Sequence, residues 1–129
     1  MSSSAVLDAS AVLTHVLDEP GKDRVEEARR AGAALVAVNL AEVEARLADA
    51  GLGEDEIHML VDRLALEIVP FDEDLAYQTG LLRPLTRQLG LSLGDRACLA
   101  LGLRLGLPVL TADAAWSGLQ FGVPIELVR

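Results

Sequence analysis

Residues 92–113 read SLGDRACLALGLRLGLPVLTAD, and the reading of this stretch decides the fold. Ser92 is a favoured helix N-cap, and Asp95 stands three positions on. In that spacing each side chain can satisfy the other's backbone N–H. The helix that follows is apolar nearly all round to Leu105, interrupted only by Gly102 and Arg104, so it belongs in the centre of the molecule. Gly106 and Pro108 end it, and Val109-Leu110-Thr111 reads as a short buried strand running toward Asp113. A buried helix that hands the chain to a buried strand is half of a parallel crossover unit.

The same alternation extends upstream. Ala5-Val6-Leu7-Asp8 reads as a buried strand, followed by a helical stretch from Ser10 to about Leu17. Pro20-Gly21 breaks it, and Lys22 to Ala31 is a charged, exposed helix. Leu35 to Val38 is a second strand. Asn39 is predicted to cap a helix to Ala50 whose face carries Leu40, Val43 and Leu47. Gly51 and Gly53 precede a helix over Glu54–Leu64, and Ile68-Val69-Pro70 ends a third strand. Asp72 caps a helix to about Leu89 that Pro84 kinks or divides, and Ile125–Val128 is the candidate fifth strand. The expectation is an α/β chain: one three-layer α/β/α domain over residues 1–129, with a central parallel sheet of four to five strands.

Composition narrows the function classes. With 129 residues, 51% of them hydrophobic, the chain buries a real core and is not a disordered tail. No apolar run reaches the roughly 18 residues of a membrane span. Met1-Ser2-Ser3-Ser4 has no basic region or apolar core of a signal peptide. A single cysteine, Cys98, excludes an internal disulfide and suits a reducing compartment, so a cytoplasmic location is expected. The formal charge of −9, with ten Arg and one Lys, predicts weak affinity for free nucleic acid and attraction to basic partners. Acids gathered around a metal would contribute to that charge without repelling RNA once the ion is bound.

In a doubly wound parallel sheet the ligand edge is the carboxyl end of the strands. Asp8 ends strand one, Glu42 lies at the start of the helix after strand two, Asp95 in the first turn of the helix before strand four, and Asp113 two residues beyond that strand. Topology alone sends all four carboxylates to one rim. Gathered there without a counter-ion they would repel and take up protons, whereas a hard divalent cation with oxygen ligands removes that conflict. Such a site activates water and stabilises the leaving oxygen of a phosphodiester. The same residues also fit plain structural roles. Asn39-x-x-Glu42 and Ser92-x-x-Asp95 match the capping box, Asp113 a turn, and Asp8 a cap at a strand end.

The blocks Val6-Leu7-Asp8-Ala9-Ser10-Ala11, Asn39-Leu40-Ala41-Glu42-Val43, Gly90 through Ala100 and Leu110-Thr111-Ala112-Asp113-Ala114-Ala115-Trp116 resemble, in order and spacing, those of PIN-domain proteins of the VapC toxin kind. The resemblance runs from about Ala5 to the C-terminus. It implies a PIN fold, Mg²⁺- or Mn²⁺-dependent endoribonuclease activity, homodimerisation and inhibition by a cognate antitoxin. By motif, Asp8, Glu42, Asp95 and Asp113 become the metal-binding and catalytic acids, with Thr111, Ser10 and Asn39 as supporting residues. The RNA cut does not transfer. The antitoxin is expected in a groove beside the helices Asn39–Ala50 and Glu54–Leu64, with Leu47 and Leu60 at the interface.

Other reactive residues have simpler readings. His15 and His58 are far apart and lack an orienting motif, so they read as surface or groove histidines. Cys98 reads as a core thiol and Trp116 as packing; Arg96 could hold phosphate or pair with an acid. A haloacid-dehalogenase-like phosphatase would want a second Asp where Ser10 stands, and a receiver domain a late lysine where only Lys22 exists. The remaining alternative is a catalytically silent PIN-like module that binds antitoxin or RNA.

Overall fold

The computed structural model describes residues 2–116 and 122–129. Its sheet has five parallel strands: β1 Ala5–Leu7, β2 Ala33–Val36, β3 Glu67–Val69, β4 Val109–Thr111 and β5 Ile125–Leu127. They lie in the order β3-β2-β1-β4-β5. The chain therefore winds outward from β1 in one direction through β2 and β3, then returns to the other side of β1 for β4 and β5. The point of reversal lies between β1 and β4, where Leu7 is in register with Leu110.

Alternating side chains feed two cores. On one face Ala5, Leu7, Ala33, Leu35 and Leu110 meet helices α1 (Ala9–Val16), α2 (Lys22–Ala31), α3 (Ala37–Asp49) and α4 (Glu54–Leu64). On the other face Val6, Ala34, Val36 and Val109 meet α5 (Glu73–Leu81) and α7 (Leu93–Leu105). This is the expected three-layer α/β/α arrangement. Helix α7 is as central as its composition demands: Ala97, Cys98, Leu99 and Leu101 are buried. Gly102 lets it approach β4, because a Cβ there would stand 2.6 Å from Val109 Cγ2. Pro84 does divide the segment after α5: a short helix α6 spans Arg83–Thr86, with the proline in its first turn, and a 3-10 turn follows at Arg87–Leu89.

Three expectations need correction. Strand β2 is Ala33–Val36, not Leu35–Val38, because the small residues after Gly32 already pair with β1 (Ala5 with Ala33). Helix α3 then starts at Ala37, and Val36 holds the extended cap position. Asn39 is therefore not an N-cap. It lies inside α3, 1% exposed, with its amide spent on another element. Leu47, expected at a partner surface, is fully buried under α3 in the first core.

Candidate active site

Asp8 is the residue on which the strand-end edge is organised. It follows β1 directly and caps α1, its Oδ1 accepting from the Ala11 N–H at 2.8 Å. It is also buried, at 4% exposure. Two hydroxyls serve it. Ser10 donates to Oδ1 at 2.7 Å and Thr111, at the end of neighbouring β4, donates to Oδ2 at 2.5 Å. Each hydroxyl is itself fixed by a backbone donor: Ala112 N–H to Ser10 Oγ at 2.9 Å and Asp113 N–H to Thr111 Oγ1 at 3.0 Å. The two hydroxyls also stand 3.2 Å from each other, so Asp8, Ser10 and Thr111 form one connected network.

Burial nevertheless pushes the Asp8 carboxyl up to about 6. The hydrogen bonds from Thr111, Ser10 and Ala11 pull against that rise, and the charge of Asp95 adds to it. Cys98 beneath the site reports the same field. Burial raises its thiol well above the ordinary range, and Asp8, Asp95 and Glu42 each add to the shift. Three of the four acids thus act on one buried atom. The thiol is fully buried and protonated, a core residue as expected.

The other acids are engaged locally. Asp95 closes a capping box with Ser92: Ser92 N–H donates to Asp95 Oδ2 at 2.9 Å, and Asp95 N–H to Ser92 Oγ at 3.1 Å. Asp113 is exposed and accepts from Ala115 N–H at 2.9 Å, a turn contact. Its backbone N–H, not its carboxylate, is linked to Asp8, through the Thr111 hydroxyl. Glu42 has no cap role. It stands in the second turn of α3, where Asn39 Nδ2 donates to its Oε1 at 2.8 Å and to the Gly94 carbonyl at 3.0 Å. A Cβ at Gly94 would lie 2.3 Å from that same Oε1. Gly94 is thus part of the site's geometry; it lies in the block from Gly90 to Ala100 but was given no role there, and its further sequence signal was a glycine inside the first turn of a helix, where it weakens the helix relative to alanine.

Among the described residues no three His, Cys, Asp or Glu side chains already stand grouped as a metal cage. The donor types nonetheless fit a hard cation, being carboxylates backed by hydroxyls. Asp8 Oδ2 accepts a single hydrogen bond, which leaves it a free coordinating direction. Asn39 Oδ1 is buried with no hydrogen-bond partner among the described residues, an oxygen with acceptor capacity to spare beside Glu42. Among the described residues Arg96 pairs with no acid: its guanidinium donates to the Thr79 carbonyl at 3.3 Å, tying α7 to α5. His15 pairs with Glu26 at 2.8 Å on the far side of α1, and Trp116 is fully buried.

The PIN domain family matches residues 5–121, so the chain belongs to that family. No curated protein sequence matches it. Among solved structures, a chain of the DNA-bound VapBC from Salmonella typhimurium superposes with a TM-score of 0.78 at 17% identity, covering 99% of this chain and 100% of that one. VapBC2 from Rickettsia felis, bound to a promoter DNA fragment, gives 0.74 at 16% identity over 95% and 96%. VapC20 from Mycobacterium tuberculosis, a toxin that cleaves the sarcin-ricin loop, gives 0.68 at 14% over 94% and 99%. At these identities the likeness is one of fold.

Proposed function

We propose that this PIN domain is a metal-dependent endoribonuclease, the toxin of a toxin–antitoxin pair, and that Asp8, Glu42, Asp95 and Asp113 hold Mg²⁺ or Mn²⁺. One observation carries the reading: a buried, triply hydrogen-bonded Asp8 at the point where strand order reverses, with its carboxyl raised to about 6 beside Asp95. Leaving such a carboxylate in the core is costly, and a cation is the partner that removes the cost. A bound ion supplies an acidified water and positive charge for the leaving oxygen of a phosphodiester. Asp8, fixed by Ser10 and Thr111, sets the position of the site. Asp95, whose Oδ2 accepts from the Ser92 N–H, would offer its other oxygen as a ligand. The test is metal-dependent cleavage of single-stranded RNA that is lost in Asp8→Asn.

The partner surfaces follow. Between α3 and α4 lies a cleft of about 420 Å³ lined by Ala45, Ala48, Leu52 and Ile57 together with Glu44, Glu54 and His58. Its apolar side chains and two acids suit an amphipathic antitoxin segment carrying Arg. A homodimer has its own candidate face. Tyr77, Leu81 and Leu85 are 71%, 61% and 69% exposed and follow one another at helical spacing. Acids (Glu73, Asp74) and arginines (Arg83, Arg87) lie at opposite ends of that segment, so a two-fold that reverses it sets acid against base. No helix among the described residues is long and apolar enough to cross a membrane, and we place the pair in the cytoplasm.

A second reading has its own support. Asp95 and Asp113 both satisfy local backbone groups, as they would in a PIN-like module that binds antitoxin or RNA without cutting.

A further inference from the structure

Gly94 sits at the second position of α7, where alanine would make a better helix. Its φ is not positive, so neither a turn nor a left-handed backbone calls for glycine. What calls for it is Glu42. An added Cβ would meet Glu42 Oε1 at 2.3 Å, Cδ at 2.7 Å and Oε2 at 2.9 Å, so the carboxylate occupies the volume that any side chain would take.

The carboxylate is not there by chance. Glu42 belongs to an exposed turn of α3, and a free glutamate in such a place samples many rotamers. Asn39, one turn earlier and buried, removes that freedom. Its two amide protons go to Glu42 Oε1 and to the carbonyl of Gly94 itself. The amide therefore ties the carboxylate to the backbone of the glycine it rests on. That backbone is one residue from Asp95.

We propose that Gly94 and Asn39 are positioning residues: together they fix the Glu42 carboxylate against the first turn of α7 so that it and Asp95 serve one cation. The inference rests on the metal-dependent reading above and adds to it the means by which an exposed acid is brought to the ion. Because the clash at Gly94 is with the end of a flexible side chain, an alanine there displaces the carboxylate and not the helix. A merely structural glycine would behave in the opposite way, losing stability and leaving metal binding alone.

The experiment measures Mn²⁺ binding by calorimetry and metal-free melting temperature for wild type, Asp8→Asn, Gly94→Ala, Glu42→Gln and the Gly94→Ala/Glu42→Gln pair. Gly94→Ala is expected to bind Mn²⁺ about tenfold or more weaker, the usual cost of losing a residue that orients a ligand, with its melting temperature unchanged or raised. In the Glu42→Gln background the same substitution should weaken Mn²⁺ binding no further, since the positioned charge has already gone. Wild-type affinity in Gly94→Ala, an equal loss in both backgrounds, or a Gly94→Ala protein that no longer folds overturns the proposal. If wild type binds and Asp8→Asn does not, such a result leaves the metal site standing and removes only the clamp. If wild type itself binds no Mn²⁺, the metal-dependent reading falls and the clamp with it.

Discussion

Thr111 and Asp8 lie 103 residues apart in sequence, yet the threonine hydroxyl donates directly to the aspartate's Oδ2 across the ends of β4 and β1. The same hydroxyl accepts from the Asp113 N–H, so one side chain links the strand ends that carry two of the four acids. Thr111→Val keeps the shape and deletes both bonds. It leaves a buried carboxylate oxygen short of a donor and an amide without an acceptor, a loss of about 1–3 kcal/mol in stability. Mn²⁺ affinity should fall about 10- to 100-fold. Thr111→Ser should retain most of both. Urea unfolding and calorimetry on the two variants check this, and a Thr111→Val protein with native metal affinity would show the hydroxyl to be structural only.

Asp8 itself predicts a pH dependence. Its carboxyl is raised from 3.8 to about 6, chiefly by burial. Between those values the folded protein keeps a proton that the unfolded chain has released, so the folded state binds more protons and stability declines as pH rises through the window. Asp8→Asn has no proton to release. In metal-free buffer its stability relative to wild type should therefore increase from pH 4 to pH 7, by up to about 3 kcal/mol, the linkage equivalent of that displacement. Denaturant melts at the two pH values measure it; a difference that does not change with pH would contradict the burial cost assigned to Asp8.

The antitoxin cleft is tested at its lining. Leu47 is no probe of it, being in the core, and Leu47→Glu should unfold the domain. Ala48 is exposed on the cleft wall. Ala48→Arg should keep stability within about 0.5 kcal/mol of native and reduce co-purification with the antitoxin. Undiminished co-purification would move the partner elsewhere.

For the homodimer, a charge placed in the Tyr77–Leu81–Leu85 strip is buried against its own copy in the two-fold arrangement. Leu81→Glu should shift the protein to monomer in analytical ultracentrifugation with the fold intact, because Leu81 is 61% exposed. A Leu81→Glu dimer would exclude this face.

The parallel sheet was legible because apolar strands of three or four residues alternate with helices whose ends carry strong signals; the strand order came only from the structure. Ser92 with Asp95, Asp72 before α5 and Pro84 all did what their chemistry predicts. The Ala33-Ala34 half of β2 was not, since two alanines have no strand preference and pair with β1 only through tertiary context. Asn39 misled for the same kind of reason. An Asn before an apolar periodic run favours a cap, but here a neighbouring helix supplied a carbonyl for its amide, and that contact is invisible in one dimension. The backbone roles of Asp95 and Asp113 were legible as a capping box and a turn; that Glu42, which fits the same capping pattern, is instead held by the Asn39 amide was not, because the contact depends on a second helix.

Asp95 therefore decides the central claim, because it is the acid with a complete structural explanation already. Asparagine keeps an oxygen that can accept from the Ser92 N–H, so Asp95→Asn should hold metal-free stability within about 1 kcal/mol of wild type, less than the usual loss of a cap. The measurement is cleavage of a single-stranded RNA panel by Asp95→Asn in Mg²⁺ or Mn²⁺, with metal-free melting followed on the same preparation. Loss of metal-dependent cleavage by orders of magnitude at near-native stability is the predicted result. Cleavage retained at wild-type rate, with stability lowered, would make Asp95 a helix cap and contradict the nuclease assignment of this acid.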